Sequence, residues 1–258
     1  MPDTEVILGQ QPVVEVLRAA RRRAFRLYLL QSKEQQLEKT SSKTNKLKEI
    51  LQLCYQRNIP IQKVDRIKLD SLGSNHQGIA LFVEPYPYAD FAELLEMLNS
   101  PDEQAKPMFL ILDMIQDPQN LGTLLRTAEA VGAKGVLLPL RRSALITPAV
   151  VHASSGATEH LHICQVNLAQ AIERLKNLGV WVIGLDSSGD DLHFHQLPYK
   201  ESLAFVVGNE GEGMRPLVRA SCDMLLRLPM CGNIESLNAA VAGSIVLYLA
   251  WLSRLKMV

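Results

Sequence analysis

Three segments in the second half of the chain join polar side chains to glycine, and each follows an apolar run that reads as a strand. The first is Asp117–Pro118–Gln119–Asn120–Leu121–Gly122, with Arg126 four residues further on. Asn120 carries an amide that both donates and accepts, and Gly122 admits close backbone approach. A capped strand–turn–helix would explain both equally well. It would not explain Arg126, which stands among Leu121, Leu124, Leu125 and Ala128, where a buried guanidinium needs a partner. The second segment is Gly208–Asn209–Glu210–Gly211–Glu212–Gly213. Its glycines let the backbone wrap a ligand and present amides and carbonyls to a nucleobase edge, although a tight surface loop is the plain alternative. The spacing GxxGxG is not the dinucleotide fingerprint, and no Gly-Lys-Ser/Thr follows to make a phosphate loop. The third is Leu228–Pro229–Met230–Cys231–Gly232, then Ser236–Leu237–Asn238 at a helix start. Capping accounts for Ser236 and Asn238 there, while Met230 offers an apolar wall.

The elements around these segments place them at strand ends. From Met108 onward the pattern alternates: strands at 109–112, 135–138, 162–166, 180–185, 203–207 and 224–228, with helices at 121–131, 147–154, 168–178, 215–220 and 239–252. Such alternation predicts a parallel α/β sheet covered on both faces, with ligands beyond the carboxyl ends of its strands. The run 239–252 is too short to span a bilayer and reads as a buried helix. Residues 1–83 read as a smaller α/β unit, with helices at 13–20 and 37–58 and strands at 25–30, 59–64 and 78–83. Residues 84–107, with Pro85, Pro87, Pro101 and Pro107 around an amphipathic helix at 91–98, read as a linker to a domain spanning 108–258.

Charge separates the halves. The 258 residues balance 27 Lys and Arg against 27 Asp and Glu, which excludes a blanket polycation. Residues 1–83 nevertheless hold 14 basic against 8 acidic side chains, and the remainder 13 against 19. A basic first unit fits a polyanionic partner, with Arg18, Arg21, Arg22, Arg23, Arg26, Lys43, Lys46 and Lys48 as phosphate contacts. Part of that cluster also suits a helix C-terminus without any ligand. Arg141 and Arg142, after the 135–138 strand, are further candidate contacts to that polyanion. Cys54, Cys164, Cys222 and Cys231 contain no CxxC pair, so zinc and redox motifs are unsupported and a reduced, cytoplasmic setting is expected. The pairs His160/His162 and His193/His195 lack further ligands at metal spacing, and no G-x-S-x-G elbow marks a serine hydrolase. No metal and no membrane partner are expected.

Taken in order and spacing, the three segments resemble the three motifs of the SpoU (TrmH) family of RNA ribose 2′-O-methyltransferases. The matches are Asn120, Gly122, Arg126 and Ala128; Gly208, Glu210, Gly211 and Gly213; and Leu228–Pro229–Met230 with Ser236–Leu237–Asn238. The first unit resembles the RlmB-like members of that family at Gly9, Asn58–Ile59–Pro60 and Asn75–His76–Gln77–Gly78. Departures are Asn209 for a small residue, His152 for a lysine, and Ala239–Ala240 where a serine is common. The resemblance implies an α/β-knot (SPOUT) domain with a C-terminal trefoil knot, preceded by a small L30-like RNA-binding domain. It implies S-adenosylmethionine as cofactor, held near Gly208, Gly211, Leu228, Met230 and Leu237. It implies methylation of a ribose 2′-hydroxyl of RNA, with a guanosine of 23S rRNA first and tRNA second. Arg126, Asn120, Glu210, Ser236 and Asn238 become the catalytic set, in a homodimer with sites near the subunit interface. A non-catalytic RNA-binding or ribosome-assembly factor is the rival of another class. The second half, from about Lys106, is expected to fold alone.

Overall fold

The computed structural model describes residues 4–33, 46–98, 106–141, 143–187, 196–233 and 236–256. In chain order its elements are β1 (Glu5–Leu8), α1 (Gln10–Ala19), β2 (Ala24–Leu30), α2 (Lys46–Gln56), β3 (Ile61–Val64), α3 (Arg66–Asp70), β4 (Ile79–Val83) and α4 (Phe91–Leu98). There follow β5 (Met108–Leu112), α5 (Pro118–Ala130), β6 (Gly135–Pro139), α6 (Pro148–Ala153), β7 (Ile163–Val166), α7 (Leu168–Asn177) and β8 (Val180–Leu185). The last are β9 (Ser202–Val207), α8 (Pro216–Ser221), β10 (Met224–Leu226) and α9 (Ala239–Arg254). Two elements escape the sequence pattern, β1 and α3, because four or five residues carry too little periodicity to register. A side-chain cap marks α3: the Asp65 carboxylate accepts from Lys68 N. The expected 37–58 helix is described from Lys46, and residues 34–45 lie outside the described segments.

Two compact units result. The first holds Met1–Pro87 together with Ile146–His160, and the second holds Tyr88–Leu145 and Leu161–Val258. The first unit's sheet runs β1-β4-β2-β3, in which only β2 and β3 are parallel. Ile7, Leu17, Leu27, Ile50 and Leu81 lie fully inside it. Within this unit, α6 packs on β1 and the short turn at 157–160 packs on α1. The join is electrostatic as well as apolar. Arg22, only 1% exposed at its side chain, meets Glu159 at 2.6 Å and Glu5 at 2.7 Å. Tyr86 stacks over the same guanidinium and donates from Oη to Thr158 O. Burial pushes the Tyr86 hydroxyl up, and it raises Glu5 despite the attraction of Arg22. Arg22 is thus a structural cation, which corrects the expectation that it contacts phosphate.

The second unit's sheet runs β10-β8-β9-β5-β6-β7 and every pairing is parallel. Covered on both faces, β5 and β6 are buried along their whole length. The expected linker is structured in part. Phe91, Leu94 and Leu95 of α4 join Phe109, Ile111 and Leu137 in the core, and Ala89 N donates to Ile163 O. Packing of α9 on α5 and β9 is close enough that a Cβ at Gly243 would meet Leu124 Cδ2 at 2.6 Å and Val207 Cγ2 at 2.9 Å. The helix is not buried all round, however. Val241, Ile245 and Tyr248 share one stripe and are 45%, 37% and 47% exposed.

Arg254 fastens the end of α9. Its guanidinium donates to the carbonyls of Lys106, Tyr199 and Glu201 at 2.6–3.1 Å, with a longer bond to Pro107. The chain entering β5 and the chain entering β9 are thereby tied to one helix. We expect Arg254→Met, which keeps the apolar stem, to cost about 1.5–3 kcal/mol in urea unfolding. A loss under about 0.5 kcal/mol would show that water replaces these bonds at no cost.

Candidate functional site

Three of the five catalytic candidates, Asn120, Glu210 and Asn238, meet where α5 and α9 begin and the 208–213 loop passes. Asp117 caps α5 by accepting from Asn120 N, and Pro118 takes a first-turn position where its missing N–H costs nothing. Asn120 is therefore not the cap, and its amide is released for other work. Its Nδ2 donates to Glu210 Oε1 at 2.9 Å. Asn238 does cap α9: its Oδ1 accepts from Ala240 N and Val241 N, while its Nδ2 donates to Asn120 Oδ1 at 3.2 Å and also to Glu210 Oε1. One side chain from each of the three segments meets in this triangle.

The glycine loop is held by its own atoms. Asn209 and Gly213 exchange backbone hydrogen bonds at 3.0 and 2.9 Å, and Asn209 Nδ2 donates to Met114 O while its Oδ1 accepts from Gly211 N. A Cβ at Gly208 would lie 2.3 Å from Gly213 C, so glycine there is required by the loop itself, before any ligand. Asn209, a departure from the family pattern, is the internal staple.

Behind this loop a cavity of about 580 Å³ opens beyond the carboxyl ends of β8, β9 and β10. Gly208, Gly211, Leu228, Met230, Ser236 and Leu237 all line it, as does Glu210. Asn120, Asn238 and Arg126 do not. Arg126 is exposed on α5, which corrects the expectation of a buried guanidinium. Asp186, Arg219 and Arg227 also line the cavity, and Arg219 Nε meets Asp186 Oδ2 at 2.7 Å. The sequence reading passed over them, although Asp186 follows β8 directly and the strand-end rule applies to it.

A second overlooked residue is Asp113, fully buried just after β5. It takes Arg215 N at 2.7 Å and Arg215 Nε at 2.8 Å, which anchors the far end of the glycine loop to the first segment. Its signal was an acid closing an apolar strand. Asp113→Ala should loosen the loop and cost about 1–3 kcal/mol, since Arg215 itself remains partly solvated. Faster proteolysis within 208–215 is the expected readout, and an unchanged cleavage rate would count against the anchor.

The basic candidates divide. Arg23 and Arg26 are exposed and lie over the Phe25 and Phe82 rings at 5.5 and 4.3 Å. Arg21 is half-buried against Tyr86, and Arg18 is forked onto Glu49 and bonded to Glu15. Lys46, Lys48 and Arg141 are exposed, while Lys43 and Arg142 lie outside the described residues. Among the described residues no cluster of three His, Cys, Asp or Glu could hold a metal, and His193 and His195 lie outside them. No described helix is long and apolar enough to cross a membrane. Burial pushes the Cys222 thiol up to about 12, which leaves it a poor nucleophile.

Comparison with known proteins agrees with the geometry. Residues 107–248 match the SpoU rRNA Methylase family, and residues 6–89 match the RNA 2′-O ribose methyltransferase substrate binding family. A Bacillus subtilis protein named as a TrmH family tRNA/rRNA methyltransferase is 38% identical over 252 residues, covering 97% of this chain and 96% of its own. The SpoU methyltransferase AviRb of Streptomyces viridochromogenes, solved in complex with AdoMet, shares the fold at a TM-score of 0.77 and 21% identity over 97% of this chain and 90% of its own. An AdoMet-bound rRNA methyltransferase of Sinorhizobium meliloti does so at 0.74 and 23%, over 96% and 86%. With its three segments meeting at one triangle beside one cavity, and with 97% of its length matched by one relative, this chain belongs to the SpoU (TrmH) family of RNA methyltransferases.

Proposed function

We propose that the chain methylates a ribose 2′-hydroxyl of RNA with S-adenosylmethionine, and that its substrate is a guanosine of 23S ribosomal RNA. The observation that carries this reading is the Asn120–Glu210–Asn238 triangle at the rim of a cavity walled by glycine backbone and by Leu228, Met230 and Leu237. Such walls suit a neutral adenine, which needs apolar contact and backbone hydrogen bonds rather than charge. The Asp186–Arg219 pair and Arg227 supply the polar end, where amino-acid groups would sit. The bound cofactor would supply an activated methyl group on a positively charged sulfur.

The chain's part is to orient the hydroxyl for in-line attack and to assist loss of its proton. Glu210 Oε1 is held by two amide donors, so the carboxylate is fixed in direction before substrate arrives. Arg126 orients the hydroxyl and clamps a neighbouring phosphate. Ser236 lines the cavity. The basic first unit supplies RNA affinity, and the 2′-hydroxyl itself discriminates RNA from DNA.

Ribosomal RNA is favoured because the Sinorhizobium neighbour, named an rRNA methyltransferase, matches across both units. The same proposal includes a homodimer, with the exposed stripe Val241, Ile245 and Tyr248 of α9 as its interface. It also includes the trefoil knot, formed as the chain leaves β10 and returns to lay α9 on α5. The test is transfer of labelled methyl from S-adenosylmethionine to rRNA and tRNA by the full chain, followed by mapping of alkali-resistant positions. Label on a base, or on no RNA, overturns the reading.

A further inference from the structure

A second cavity, of about 480 Å³, lies in the first unit where β2 and β3 begin. Val16 and Leu17 of α1, Ala24, Ile59 and Pro60 give it apolar walls, and no acidic residue is among those that line it. Arg22, Arg23 and Arg57 line it too, with Phe25 and Asn58. Arg22 contributes little to an incoming anion, because Glu5 and Glu159 already hold it. Arg23 and Arg57 are exposed. Glu84 accepts from the Arg23 backbone N at a long 3.4 Å.

The bland explanation is that these cations complement the C-terminal ends of α1 and α2. Each helix end carries about half a negative charge. Two guanidiniums exceed two such ends by about one positive charge, so an attraction for anions remains. Phe25 is half-buried, with Arg23 5.5 Å from its ring, and Asn58 takes the left-handed turn (φ 53°) that ends α2 and brings it to the rim. An aromatic face, two guanidiniums and an amide around an apolar pit match a nucleotide's base, phosphate and edge. The volume lies within the about 300–1,000 Å³ usual for small-ligand pockets.

Resting on the RNA-methyltransferase reading above, we propose that this cavity takes one unpaired nucleotide of the RNA substrate, with Arg23 and Arg57 on its phosphate and Phe25 against its base. A base within a duplex is not available to enter, so the site selects a single-stranded or bulged stretch.

The test measures anisotropy of a fluorescein-labelled 12-nucleotide single-stranded RNA, and of the same sequence as a duplex, with the full chain. Arg57→Ala should weaken single-strand binding about 3- to 10-fold and flatten the log–log salt slope by about 0.7. Phe25→Leu keeps apolar volume, so thermal unfolding should stay near wild type. It should weaken single-strand binding about tenfold through lost stacking and leave duplex binding unchanged. Wild-type affinity in either variant overturns the site. Methyl transfer by the wild-type chain together with unaffected variants would condemn the site and keep the enzymatic reading. Variant-sensitive binding without any methyl transfer would do the reverse.

Discussion

Arg126→Ala is expected to lower methyl transfer by at least about 10²–10³-fold while changing S-adenosylmethionine affinity no more than a few-fold. The two halves of that expectation have separate causes. Arg126 is exposed on α5 and does not line the cavity, so its removal leaves the cofactor walls intact. The core face of α5 is formed by Leu121, Leu124, Leu125 and Ala128, so stability should move by no more than about 0.5 kcal/mol. On the proposed role of Arg126, what should disappear is a positive fork that holds the hydroxyl and a phosphate in the transition state. Arg126→Lys should recover little, because a point charge cannot replace two parallel donors. Calorimetry and single-turnover kinetics separate the outcomes: cofactor binding lost in parallel with turnover would make Arg126 a structural residue.

The largest effect on stability is expected at the other unit. Glu159→Ala should destabilise it by about 3–5 kcal/mol, since the Arg22 charge would stay buried with only Glu5 beside it. Arg22→Met together with Glu159→Leu should recover most of that loss, because an apolar pair of similar volume has no charge to desolvate. Urea unfolding checks both. A single mutant within about 1 kcal/mol of wild type would show that water reaches the pair. The same contacts revise the expectation for a chain beginning near Lys106. Such a chain retains 146–160 but lacks α1, β1 and Arg22, against which Val150, Val151 and Glu159 are buried. It should be poorly soluble unless 146–160 is replaced by a short polar link, and sedimentation of the two versions decides.

Much of the site was legible because its chemistry is local. Each segment is a strand end followed by a glycine turn or a helix start, and such signals lie within six to ten residues of sequence. The alternation of apolar runs with amphipathic ones likewise specifies a parallel sheet, since a strand buried on both faces has no polar side to show. The asymmetry of charge between the first 83 residues and the rest needed only counting.

What remained hidden depends on contacts distant in the chain. In sequence, Asn120 and Asn238 fit a helix cap as well as the catalytic set that the resemblance implies. Their shared bond to Glu210 spans 90 and 28 residues, and no periodicity reports it. Arg126 was read as buried because its neighbours are apolar, but a helix face, not a sequence window, decides which side chains meet water. Arg22 was read as a phosphate contact because it stands in a run of arginines, and only the return of 146–160 to the first unit puts Glu159 beside it. The sequence by itself determined most of the elements and the family, because hydrophobic period and turn residues act over short range. The tertiary structure alone decided which cations are buried, which amides are free to hold a carboxylate, and where the cavities open, because burial and pairing are properties of surfaces that meet only after folding.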